Sequence, residues 1–167
     1  AYVRLARAAV ETYVTSGKKI AVPAGLPAEM LSRRAGTFVS LKKDGRLRGC
    51  IGTIAAASPS VAAEIINNAI SAASSDPRFD PVEREELPQL VYSVDVLGET
   101  EKIGSAAELD VKRYGVIVTR GGRRGLLLPN LEGVDSVEEQ ISIAKEKAGI
   151  GKGEKAELER FEVVRHH

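Results

Sequence analysis

The chain concentrates its chemically suggestive residues in one string, Leu47-Arg48-Gly49-Cys50-Ile51-Gly52-Thr53. Cys50 is the only cysteine. A thiol of ordinary pKa, about 8.5, is only a few per cent thiolate at neutral pH, and a neighbouring guanidinium raises that fraction. Strand periodicity places Arg46, Arg48, Cys50 and Gly52 on one face and Leu47, Gly49, Ile51 and Thr53 on the other. Glycines inside a strand mark places where another backbone or a ligand comes close, and Gly49 and Gly52 bracket the thiol. The alternative is a packed thiol, because cysteine is among the most buried residue types and behaves as a small hydrophobe.

Other charged groups form smaller constellations. Asp76 and Asp80 bracket Arg78 and Phe79 in a stretch stiffened by Pro77 and Pro81. Two carboxylates there suit acid–base work or a hard cation, and equally suit the capping of backbone amides. Lys42, Lys43, Arg46 and Arg48 gather at one predicted hairpin and Arg120, Arg123 and Arg124 at another. Side by side, the hairpins make a rim for phosphate or carboxylate groups; taken singly, their cations face water and protect sheet edges. Asp95 interrupts an apolar strand and needs either solvent or a cationic partner; a face open to water is the expected one. Glu83, Glu85 and Glu86 read as a solvated helix face.

The inventory also excludes. Histidine occurs only at positions 166 and 167, and this terminal pair reads as the remnant of an expression tag. Without an imidazole in the body, Ser-His-Asp and Cys-His machineries and His-ligated zinc are unavailable within the chain. Neither GxGxxG nor GxxxxGK[ST] is present, so no nucleotide loop is expected, and no metal or cofactor is assigned. Lys and Arg number 24 against 23 Asp and Glu, a net charge of +1, so there is no general pull toward polyanions. Aromatics are 4% of residues, which leaves few stacking platforms for single-stranded nucleic acid. No apolar run approaches the ~20 residues that span a bilayer, and nothing indicates secretion, so a cytoplasmic setting is expected. Position 1 is Ala, not Met, which reads as a trimmed start or as a beginning inside the gene.

The elements that must position these groups follow from periodicity. Tyr2, Ala6, Ala9 and Tyr13, with Val10 and Val14, describe one apolar helix face closed by Gly17. Thr37 to Leu41 reads as a strand, Asp44-Gly45 as a tight turn, and Leu47 to Ile54 as the returning strand. Ser58-Pro59 caps a helix with Val61, Ile65, Ile66, Ala69, Ile70 and Ala73 as its buried stripe. A short helical segment spans Glu83 to Leu87, and Leu90 to Leu97 is a half-buried strand. Ser105 and Glu108 make a capping box. Gly115 to Thr119 and Gly125 to Leu128 form a second hairpin, Ser136 to Ala148 a capped helix, and Leu158 to Val164 a last strand. No internal repeat is visible. Strands in hairpins with helices between them indicate an antiparallel α+β fold, not a doubly wound parallel sheet.

Together these strings resemble the AMMECR family, known in prokaryotes as AmmeMemoRadiSam system protein A. The resemblance rests on the Leu47–Thr53 string, on Asp76-Pro77-Arg78-Phe79, on Arg124-Gly125-Leu126-Leu127-Leu128-Pro129 and on Lys147-Ala148-Gly149-Ile150, in that order along essentially the whole chain. It implies one domain over residues 1–165: an antiparallel or mixed sheet flanked by helices, in two unequal, interleaved lobes with a cleft between them. Near that cleft it gathers Arg48, Gly49, Cys50, Gly52, Asp76, Arg78 and Phe79, with Arg124 and Pro129 further along the chain. It transfers no catalytic residues. Many relatives carry tryptophans after the Leu-Leu-Pro segment and near the C-terminus; this chain has none.

Three functions compete. One is a binding component of a modification system with Memo-like and radical-SAM partners, docking through the Arg48–Cys50 face. Another is an enzyme with Cys50 as nucleophile, Arg48 lowering its pKa and Asp76 accepting a proton. The third is nucleic-acid binding through the Arg120–Arg124 hairpin. The scarce catalytic inventory favours the first.

Overall fold

The computed structural model describes residues 1–131 and 133–167. It is an α+β chain of two compact units, residues 1–96 with 164–167 and residues 97–163, each with a four-stranded antiparallel sheet.

In the first unit, α1 (Tyr2–Ser16) buries Leu5, Ala6, Ala9 and Val10 and ends on Gly17, whose φ of 70° suits a residue without Cβ. A one-turn helix, α2 (Ala28–Ser32), follows Pro27; at five residues it is too short to leave a periodic signal. β1 (Thr37–Lys43) and β2 (Arg46–Gly52) form the expected hairpin. Its turn residues, Asp44 and Gly45, both take positive φ, 53° and 74°, as a two-residue turn matching strand twist requires. α3 (Val61–Ser74) is capped by Ser60, whose hydroxyl accepts from the amide of Ala63. Ser60 displaces the expected Ser58, which is buried while its amide donates to Glu64. β3 (Leu90–Leu97) pairs with β1, and β8 (Val163–His166) completes the sheet in the order β2-β1-β3-β8. Val39, Leu41, Tyr92 and Val94 join α1 and α3 in one core.

The second unit holds β4 (Glu101–Ile103), β5 (Gly115–Arg120), β6 (Arg123–Leu127), α4 (Val137–Ala148) and β7 (Glu157–Phe161). Its sheet runs β4-β7-β5-β6. Val116, Val118, Leu127, Ala144 and Ile150 form its core. α4 begins on Ser136 and ends on Gly149 at φ 72°. The single strand expected over Leu158 to Val164 is two strands in different sheets. β7 ends at Phe161, whose ring lies over Gly115, where a Cβ would come within 2.2 Å of it. The carbonyl of Glu162 then turns aside to accept from Gly98.

Each unit thus has a hairpin, then a helix, then a strand antiparallel to the first strand of the hairpin, with a fourth strand beyond it. Read from the hairpin edge, the orders are β2-β1-β3-β8 and β6-β5-β7-β4.

Candidate functional site

The Leu47–Thr53 string lies on β2, an edge strand, so one side of its backbone has no neighbouring strand. Leu41 pairs with Gly49 but Lys42 pairs with Leu47, leaving Arg48 as an extra residue, a β-bulge. The bulge breaks the expected alternation. Leu47 joins Cys50 and Gly52 on one face, opposite Lys42, Ser40 and Phe38, while Arg46 pairs with Lys43 and falls on the other face. Arg48 therefore does not flank the thiol, and bends outward along the sheet edge. Gly49 faces α3, where a Cβ would sit 2.2 Å from the carbonyl oxygen of Ala72. Gly52 faces Phe38, where a Cβ would lie 2.3 Å from the ring. Both glycines answer to packing.

The segment after α3 runs along the open edge and is held by side chains. Arg48 makes a bidentate pair with Glu86 (Nε–Oε1 2.9 Å, Nη2–Oε2 3.1 Å) and donates to the carbonyls of Asp80 (2.8 Å) and Pro81 (3.3 Å). Lys43 reaches the same carboxylate at 3.1 Å. Glu86, expected on a solvated face, is instead the hub of this cluster. Hydrogen bonds from Arg48, opposed by partial burial, hold its pKa down at about 2. The short helical segment that carries it is a 3₁₀ helix, Arg84–Gln89.

Asp76 and Arg78 occupy the backbone of Cys50 itself. The Cys50 amide donates to Asp76 Oδ2 at 3.0 Å, and Arg78 Nη2 donates to the Cys50 carbonyl at 3.3 Å. The two side chains close on each other through Nε–Oδ1 at 3.1 Å and Nη2–Oδ2 at 2.8 Å. A carboxylate for the N–H and a guanidinium for the C=O stand in for the peptide group of a missing strand. Asp76 also accepts from the Arg78 amide, an Asx turn that Pro77 predisposes. Its carboxyl is held far below the usual range, first by Arg78 and against the opposing effect of burial. Phe79 is half-buried, with the Arg78 guanidinium 5.4 Å from its ring centre.

The Cys50 thiol is partly exposed on the face turned from α3, and Ser40 donates to its Sγ at 3.2 Å. Asp95 is buried, against the expectation of an open face; Arg165 on β8 meets it in a bidentate pair of 2.8 and 3.1 Å. Arg124 and Pro129 lie in the second unit, Arg124 on β6 with Glu159 at 3.8 Å. Arg120 and Arg123 share Glu154, at 2.7 and 2.9 Å.

One buried cluster escaped the sequence reading. Glu64, 1% exposed, accepts from the amides of Ala57 (2.8 Å) and Ser58 (2.9 Å) and from Thr53 Oγ1 (2.9 Å). One turn on, Asn68 donates to both oxygens of Thr37 and to Thr53. Polar residues at i and i+4 within an apolar helix stripe were the available signal. The cluster fixes the chain leaving β2. Among the described residues, no group of three His, Cys, Asp or Glu side chains is arranged to hold a metal, and no helix is long and apolar enough to cross a membrane.

The family model described as AMMECR1 matches residues 3–166. A protein of Thermotoga maritima is 52% identical over 167 residues, covering 99% of this chain and 96% of its own length. A Clostridium acetobutylicum protein is 52% identical over 166 residues, again 99% of this chain. The chain spans only 35% of that relative. The crystal structure of an uncharacterized protein from Pyrococcus horikoshii has a similar fold, with a TM-score of 0.90 at 35% identity over 98% of this chain and 88% of that one.

Proposed function

The chain belongs to the AMMECR1 family, and from that premise we propose that it is a binding component of a modification system with Memo-like and radical-SAM partners, engaging them through the sheet face around Cys50. The observation that carries this reading is the saturation of the charged groups near the thiol. Asp76 accepts four hydrogen bonds, one from the Cys50 amide and three from Arg78. A carboxylate so engaged, with its pKa driven down, is a poor proton acceptor. Arg48 is spent on Glu86 and two carbonyls. What faces outward beside the thiol is hydroxyl, amine and apolar surface, suited to contact. The test is co-purification of the full chain with its genome's own Memo-like and radical-SAM proteins. A complex weakened by Cys50→Trp is expected; no complex, with or without a candidate substrate, overturns the reading.

A second reading keeps Cys50 as a nucleophile. The Ser40 hydroxyl bond to Sγ favours it, because a donor at sulfur supports the thiolate. It predicts fast alkylation of the native protein at neutral pH, slowed by Ser40→Ala. A thiol that reacts only after denaturation removes it. The Arg120–Arg124 hairpin gains no comparable support for nucleic-acid binding, since each of its arginines lies against Glu154 or Glu159.

A further inference from the structure

The face that carries Cys50 has an open end whose composition is unusual for a solvated sheet. Lys42 on β1 pairs with Leu47 on β2 and with Val91 on β3, so the three side chains form one row across the sheet, turned away from α3. Leu47 is 39% exposed, Val91 63%, and Lys42 is exposed between them. The second unit supplies an internal control. Its corresponding row, on the first strand of the hairpin and the strands either side, is Arg124, Thr119 and Glu157. That row is polar, with opposite charges at its two exposed ends and a partly buried threonine between them, a pairing usual across a sheet. The first unit replaces both charged ends with aliphatic side chains and puts a cation in the middle.

The charge around the row is unbalanced as well. In the second hairpin every arginine meets a carboxylate. In the first, Glu86 takes Lys43 and Arg48, whereas Lys42 and Arg46 form no ion pair among the described residues. An ammonium flanked by two exposed aliphatic side chains is complementary to a carboxylate flanked by apolar groups.

We infer that the Leu47–Lys42–Val91 row is the docking surface for an extended, acidic–apolar segment of a partner protein, with Lys42 receiving a carboxylate and Leu47 and Val91 the apolar side chains beside it. Alternate residues of an extended segment point to one side, so valine, glutamate and valine at every second position present the required pattern. The inference deepens the binding reading above and rests on this face being the one that binds.

The test titrates the isotope-labelled full chain with a synthetic peptide in which valine, glutamate, valine, glutamate and valine alternate with serine, followed by amide NMR. Shifts confined to Lys42, Leu47, Val91 and their neighbours are expected. Lys42→Glu should weaken binding at least tenfold, and Val91→Ser should weaken it several-fold. The same peptide with lysine for glutamate should not bind. Absence of shifts at the row, equal shifts with the lysine peptide, or wild-type binding by Lys42→Glu overturns the inference. A single-stranded oligonucleotide that shifts the row while the acidic peptide does not overturns it in favour of nucleic acid. Co-purification failing while the peptide binds overturns the named partners and leaves the row standing; the reverse result overturns the row alone.

Discussion

In the first unit one carboxylate, Glu86, takes Lys43 from the end of β1 and Arg48 from β2; in the second, Glu154 takes Arg120 from the end of β5 and Arg123 from β6. Both arginines also hold carbonyls of the chain that follows the helix: Arg48 those of Asp80 and Pro81, Arg123 that of Gly149. Both hairpins put a glycine under a helical carbonyl, Gly49 under Ala72 and Gly125 under Ala144, at 2.2 and 2.1 Å from where a Cβ would stand. Whatever the two units share is what a hairpin, a helix and a returning strand need in order to close. By that standard Arg48 and Gly49, the front of the most recognisable string, are scaffold. Cys50, Asp76, Arg78 and the Lys42 row belong to the first unit alone. The position matching Cys50 is Leu126.

The glycines put this comparison at greatest risk. Gly49→Ala and Gly125→Ala each push a methyl group into a backbone carbonyl, which cannot swing aside as a side chain does. Each should cost about 3 kcal/mol, the upper end for overpacking, read as a lowered denaturation midpoint of the full chain. Similar losses sharpen the equivalence of the units. A silent substitution at either position breaks it.

The carboxylates come next. Asp76→Asn removes the charge that Arg78 and the Cys50 amide share, and should cost about 2 kcal/mol, because Asp76 is buried while half-exposed Arg78 recovers water. Glu86 gives the comparison a pH axis. Its folded pKa is about 2 against an ordinary 4.5. Between those values the unfolded chain binds more protons than the folded one, so stability rises with pH there. The contribution is complete above pH 4.5 and is lost as pH falls toward 2. Glu86→Gln should flatten that acid limb by about 1–2 kcal/mol after allowance for partial solvent screening. Glu154 is shifted down too, first by Arg123, but is more exposed, so Glu154→Gln should change the limb less. Equal pH profiles for the two variants would make the hubs alike and undo the distinction.

Much of this scaffold was legible in the chain. The capping serine and terminal glycine of α4, the Asp44-Gly45 turn and the apolar stripe of α3 each act over a few residues, and each appears where its pattern lies. What depended on distant partners was not legible. The bulge at Arg48 comes from pairing with β1, Glu86 becomes a hub only when the segment after α3 folds back, and Asp95 finds Arg165 across 70 positions of sequence. Alternation alone also runs β7 and β8 together, since the break at Glu162 is set by Gly98. The duplicated architecture is hidden because the two units share a few positions and not a sequence. Of the candidate site, the strings were legible as places; the division between scaffold and surface within them required the second unit as a control.

The two cores differ at one buried position. Tyr92 pairs with Leu41, and the matching residue opposite Val118 is Leu158. Tyr92 is 2% exposed, and its hydroxyl has no hydrogen-bond partner among the described residues. Burial pushes its pKa up to about 12, so the group stays neutral over the working pH range. An unsatisfied buried hydroxyl loses its bonds to water on folding and recovers nothing. Tyr92→Phe keeps the ring beneath the Arg7 guanidinium, 5.1 Å from its centre, and removes only the oxygen. It should leave stability unchanged or raise it by up to about 1 kcal/mol, roughly 2–4 °C in Tm for a chain of this size. A loss of more than 1 kcal/mol would mean that the hydroxyl is bonded in solution, through water or a ligand, and that the first unit's core carries a polar function the second unit's leucine does not.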